Sequence, residues 1–187
     1  MELFIFDLDD TLFKTTAKVI VRKKNNIIRK LSNAEYSNYQ LQDHEYYDFS
    51  EFKDANIFNE TATPIHKTLK ILKEQLKKES DVNVIIVTAR RDFDNKELFL
   101  SALKKHGIDT EKLYVERAGN NIGMASYKAK QLVFEKYLKT KKYTRVTIYD
   151  DLISNIRALY SLGETYSDIK FCGFLVKGTK IERVIYS

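Results

Sequence analysis

Asp7, Asp9 and Asp10 place three carboxylates within four residues, directly behind the apolar run Leu3-Phe4-Ile5-Phe6. Crowded carboxylates beside a core repel one another and lose hydration, so the segment needs a compensating positive charge. In extended backbone, residues two apart share a face; this groups Asp7 with Asp9 and Thr11 and turns Asp10 away. A second acidic pair, Asp150 and Asp151, ends the run RVTIY, with Asn155 four residues beyond Asp151. A third run, VNVIIV, leads into Thr88-Ala89-Arg90. Oxygen ligands clustered this way suit Mg2+, which favours carboxylates, water and bound phosphate. Mg2+ is therefore the expected cofactor. No Cys/His set has zinc spacing, and His44, His66 and His106 are scattered.

Such residues act together only if the chain brings them to one place. ELFIF, VNVIIV, RVTIY and KFCGFLV are apolar throughout, as strands buried on both faces are. Helical patterns lie between them. Thr63-Pro64 reads as an N-cap and first helical residue for PIHKTLKILKEQLKKE, with Ile65, Leu69, Leu72 and Leu76 at helical spacing. KELFLSALKKHG ends at Gly107, and MASYKAKQLVFEKYL and LISNIRALYSLG follow. Strands alternating with helices predict an α/β fold, a Rossmann-like doubly wound parallel sheet covered on both faces. Ligands of such sheets gather at the carboxyl ends of the strands, where each acidic cluster falls.

Residues 14–62 interrupt this rhythm. KVIVRKKNNIIRKL reads as a hairpin turning at Lys24 to Asn26, and YSNYQLQDHEYYDFSEF is polar and aromatic without a clear period. The stretch is an insertion after the first strand within a single domain spanning residues 1–187. It is either a small cap or an extension of the sheet.

Asp7-Leu8-Asp9-Asp10-Thr11 resembles the first motif of the haloacid dehalogenase superfamily of phosphotransferases, DxDxT after an N-terminal strand. Thr88 resembles its second motif, Lys128 its third, and Asp150-Asp151-Leu-Ile-Ser-Asn155 its fourth in the DDxxxN form. The resemblance implies a phosphoric monoester hydrolase. Asp7 would be the nucleophile forming an aspartyl-phosphate, and Asp9 the general acid and base, kept protonated by its neighbour. Mg2+ would sit on Asp7, the Asp9 carbonyl and Asp151, with Asp150 a ligand or a support. Thr88 and Lys128 would bond the phosphoryl oxygens. Lys130 rivals Lys128; spacing to Asp150 and the preceding Tyr127 favour Lys128.

Thr88-Ala89-Arg90 resembles the TGR form of the second motif in the phosphatase domains of polynucleotide kinase-phosphatases, with Ala89 in place of glycine. No kinase P-loop accompanies it. The implied substrate is a phosphorylated one: a 3'-phosphate on a nucleic-acid end, or a nucleotide, with a small-molecule phosphatase or nucleotidase as the alternative. Arg90, Arg117 and Thr11 are candidate substrate contacts; an ion pair at the sheet edge is the competing role for either arginine. Thirty-two Lys and Arg against 26 Asp and Glu give a net charge of +6, which fits an anionic substrate or a solvated basic surface. RKKNNIIRK and KYLKTKKYTR can follow a nucleic-acid backbone, and Tyr36, Tyr39, Tyr46, Tyr47 and Phe49 can stack on bases.

The single cysteine, Cys172, rules out an internal disulfide framework and fits a reducing cytoplasm. No apolar run approaches the ~20 residues of a membrane span, so no membrane partner is expected. Two other classes remain. A phosphorylation-dependent receiver also combines acids, Thr and Lys, but its phosphoacceptor belongs midway along the chain. A binding protein with a degenerate site would lack a catalytic residue.

Overall fold

The apolar N-terminal run becomes the middle of a six-stranded sheet. The structure, a computed structural model, describes residues 1–78 and 81–185. Its strands are β1 (Glu2–Phe6), β2 (Phe13–Lys14), β3 (Val19–Lys23), β4 (Asn26–Leu31), β5 (Glu45–Asp48), β6 (Thr63–Pro64), β7 (Val82–Thr88), β8 (Tyr114–Arg117), β9 (Arg145–Asp150), β10 (Lys170–Lys177) and β11 (Lys180–Val184). The α-helices are α1 (Asn33–Tyr36), α2 (Ala55–Thr61), α3 (His66–Leu76), α4 (Lys96–Lys105), α5 (Ser126–Leu138) and α6 (Ile153–Tyr160).

The main sheet runs β11-β10-β9-β1-β7-β8, parallel except for β11, which pairs antiparallel with β10. Side chains alternate across it as the pleat demands. Leu3, Ile5, Ile85, Val87, Val146 and Ile148 pack with α5 and α6 residues on one face. Phe4, Phe6, Val84 and Ile86 pack with α3 and α4 residues on the other. Phe6, Tyr149 and Phe174 stack face to face across three strands at 4.9 Å per step. Cys172 is a buried strand thiol, as expected.

Register then sets the site. Phe6 pairs with both Ile86 and Tyr149, so Asp7 and Asp150 leave their strands at the same level and Thr88 ends just beyond. The Asp7 N–H donates to the Tyr149 carbonyl at 2.9 Å, which joins the two acidic strand ends directly.

Within residues 14–62, β3, β4 and β5 form a separate three-stranded sheet, β4-β3-β5, and the hairpin turns at Lys24-Asn25 with Lys24 at φ 54°. Val19, Val21 and Leu31 are its small core. One boundary differs from the sequence reading. Thr63-Pro64 is a strand, not a helix start: it pairs with Phe13-Lys14, and Ile65 N–H bonds the Leu12 carbonyl. Those backbone partners hold the segment extended, so α3 begins at His66 with Ile65 as N-cap. Glu79, in the helix as read from sequence, lies outside the described residues. Among the described residues, no helix is long and apolar enough to cross a membrane.

Candidate active site

The positive charge that the acidic strand ends require comes from Lys130. Its ammonium donates to Asp7 Oδ1 at 2.6 Å and to Asp150 Oδ2 at 2.8 Å, and its side chain is 2% exposed. Burial opposes the charge, but the Asp150 and Asp7 carboxylates overcome it and hold the ammonium protonated. Lys128, favoured from sequence, is exposed on the other side of α5. The physical reason is helical phase: two residues turn the chain by about 200°. Lys130 shares its face with the buried Val133 and Phe134, whereas Lys128 shares its own with Gln131 and Leu132. That periodicity was the available signal.

One ammonium does not neutralise the cluster. Burial raises the Asp7 carboxyl to about 7, Lys130 pulling it down and Asp150 and Asp9 pushing it up. Burial, with Asp7 and Asp150, raises Asp151 to about 9. Oxygens of Asp7, Asp150 and Asp151 lie within 4.8 Å of one another. Asp150 is fully engaged: Oδ2 accepts from Lys130, and Oδ1 from Leu152 N–H and Asn155 Nδ2. Asp7 Oδ2 and Asp151 have no such partners. The set therefore fits a hard divalent cation held by Asp7 and Asp151, with Asp150 and Asn155 bracing Lys130 and the following turn.

Asp9 takes a different partner. Its two oxygens accept from Arg90 Nε at 2.8 Å and Nη2 at 2.7 Å. Arg90 is 3% exposed; it also donates to the Phe52 carbonyl and Thr15 Oγ1, and lies against the rings of Phe52, Phe58 and Phe93. Arg90 is thus engaged by protein groups, the ion-pair role that competes with substrate contact, and its guanidinium fork holds both Asp9 oxygens. The Arg90 position depends on Gly119, where a Cβ would collide with the Ala89 carbonyl and with Arg90 backbone.

The chain leaves the strand after Phe6, so the extended alternation expected through Thr11 does not continue. Leu12 and Phe13 N–H both bond the Leu8 carbonyl, and Asp10 sits at φ 57°. This turn brings Asp10 towards the site, where its charge acts on Asp151 and its carboxylate accepts from Asn33 at 2.6 Å. Thr11 Oγ1 is buried without a partner. Thr88 is buried at the strand end and accepts the Arg90 N–H. Arg117 belongs to the sheet edge, its Nη1 on the Val115 carbonyl and its guanidinium over Phe93 and Phe99. Asn33, Thr15 and Phe52 had no sequence signal, since their contacts span the insertion.

KYLKTKKYTR lies across the end of α5 and the start of β9, at the amino end of the strands, opposite the end that carries Asp7. In RKKNNIIRK, Arg22 pairs with Asp48 and Lys30 with Glu51, so part of its charge is internally matched.

No protein-family model matches the chain, and no curated protein matches it. Among solved structures it is similar to the HAD domain of the effector protein Lem4 from Legionella pneumophila, with 14% identity and a TM-score of 0.52. The match covers 96% of this chain and 88% of that one. At this identity the likeness is one of fold: a Rossmann-like α/β sheet flanked by helices, similar to that HAD domain.

Proposed function

We propose that the protein is a Mg2+-dependent phosphomonoester hydrolase that works through an aspartyl-phosphate on Asp7. The observation that carries this reading is the buried Asp7–Lys130–Asp150 bridge beside Asp151 and the Arg90-held Asp9. Asp7 Oδ2, which Lys130 leaves free, attacks phosphorus as the bond to the leaving oxygen breaks. Asp9 gives that oxygen a proton, then takes one from the water that opens the acyl phosphate and returns Asp7 to a carboxylate. Carrying the proton requires Asp9 to give up one Arg90 bond. Lys130 and Thr88 stabilise charge on the phosphoryl oxygens and Asp7. A bound Mg2+ would supply neutralising charge at Asp7 and Asp151 and withdraw electrons from the phosphoryl group. The substrate we infer is a 3'-phosphorylated nucleic-acid end or a nucleotide, on the resemblance to polynucleotide phosphatase domains.

The test is phosphate release, with and without Mg2+, from a 3'-phosphorylated oligonucleotide and from 3'- and 5'-mononucleotides, with D7N as the blank. Release that needs Mg2+ and is lost in D7N supports the hydrolase. Preference among the three names the substrate class. No release from any of them returns the chain to the switch and binding readings.

Arg90 acts in this scheme as a positioning residue. Arg90→Leu keeps apolar volume among the three Phe rings but releases Asp9, and a small misplacement of a reacting group costs on the order of 10²-fold. The expected result is a fall in kcat of that order with KM changed less than about threefold. A KM increase at constant kcat would instead make Arg90 a substrate ligand.

A further inference from the structure

We propose that the exposed rings of Tyr36 and Phe49 form a stacking platform for the nucleobase adjoining the scissile phosphate, making the insertion a specificity subsite. This rests on the phosphatase reading and locates the base of its substrate.

The fold sorts five of the seven Tyr and Phe residues of the insertion, those read from sequence as able to stack on bases, into different roles. Tyr39 donates its hydroxyl to Glu45 and lies under the Arg29 guanidinium. Tyr46 bonds the Lys24 carbonyl at the hairpin turn, and β4 runs six residues, or about 20 Å, between that turn and the site. Tyr47 donates to the Tyr39 carbonyl and is half-buried. Tyr36 and Phe49 are 37% and 38% exposed, less than the 44% of Tyr46 at the far turn, and among the described residues no hydrogen bond reaches the Tyr36 hydroxyl. Their centroids lie 5.6 Å apart at 87°, so one ring presents a face beside the edge of the other. Tyr47 packs behind both, at 4.8 Å from Tyr36 and 6.1 Å from Phe49.

Two independent tethers bring this pair to the acidic site. Asn33, at the start of α1, donates to Asp10, and Tyr36 is one turn on along the same helix face. Phe52 accepts from the Arg90 that holds Asp9, and Phe49 is three residues earlier, where a 3-10 turn eclipses side chains. The reciprocal Ser32–Glu35 capping bonds fix the turn that carries Tyr36. A solvent-facing π surface thus stands one turn from Asn33, which bonds Asp10, and one turn from Phe52, which accepts from the Arg90 that holds Asp9. Of the parts of a phosphomonoester, a flat heterocycle is the one that gains from stacking there, and stacking does not depend on which base it is.

The experiment compares kcat/KM within two substrate pairs: a nucleoside 5'-phosphate against ribose 5-phosphate, and a 3'-phosphorylated oligonucleotide ending in a base against one ending in an abasic residue. Wild type is expected to prefer the base-bearing member of the pair it hydrolyses. Tyr36→Leu and Phe49→Leu, which retain apolar bulk, reduce that preference about tenfold or more, and Tyr36→Phe retains it. Because the readout is a ratio within one variant, a general loss of folded enzyme cancels. Equal use of both members by wild type, or an unchanged ratio in both leucine variants, overturns the platform while leaving the phosphatase standing. No release from any of the four substrates overturns both.

Discussion

Asp7→Asn is expected to remove at least ~10⁴ of the turnover and at the same time to make the metal-free protein more stable. The two effects have one cause. Burial and neighbouring carboxylates raise the Asp7 carboxyl to about 7, despite Lys130. A carboxyl raised above its unfolded value of 3.8 binds its proton more tightly when folded. Its contribution to stability is therefore present at low pH and is lost as pH rises through about 4 to 7. Asp151, raised to about 9, extends the loss to higher pH. Asn at position 7 can still accept from Lys130 but carries no charge. At pH 8 without metal, the variant should melt at least ~2 °C above wild type, the shift that about 1 kcal/mol gives a chain of this size. Mg2+ should raise the wild-type melting temperature more at pH 8 than at pH 5, and raise that of the variant less. Thermal melts at the two pH values, with and without Mg2+, check this. A variant that melts at or below wild type at pH 8 would show that the cluster carries no electrostatic stress.

Lys130→Met should have the opposite effect on stability while also abolishing most of the activity. Methionine retains the length of the side chain but leaves Asp7 and Asp150 buried without their shared cation. Breaking a buried pair from one side costs about 3–5 kcal/mol. The melting temperature should fall by at least ~6 °C, and kcat/KM by at least ~10²-fold as Asp7 loses the cation that holds it. Lys128→Met, on the exposed face of the same helix, should melt within about 1 °C of wild type and keep its activity. Equal losses in both variants, or a loss only in the Lys128 variant, would mean that α5 meets the sheet in a different phase. Asp7→Asn and Lys130→Met thus separate charge crowding from fold damage: both inactivate, but they move stability in opposite directions.

The primary sequence was enough to show that the acidic residues end buried strands. ELFIF, VNVIIV and RVTIY are continuous apolar runs, each followed at once by Asp, Thr or an Asp pair, and parallel pairing brings such ends to one edge. The alternation of these strands with helical patterns also sufficed for the α/β class. Tertiary structure alone decided which cation serves them. Spacing to Asp150 and the preceding Tyr127 favour Lys128, but the docking of Val133 and Phe134 onto the sheet directs Lys130 inward. It also decided the role of Arg90, whose partner Asp9 is 81 residues away and whose other contacts, Thr15 and Phe52, come from the insertion. Thr63-Pro64 was read as a helix start on local preference, and pairing with Phe13-Lys14 overrode it. Local pattern specifies periodicity, and hence which face of an element is apolar. It carries no record of which distant polar group will complete a buried charge, because that is settled only when the elements pack and each buried carboxylate must find a donor.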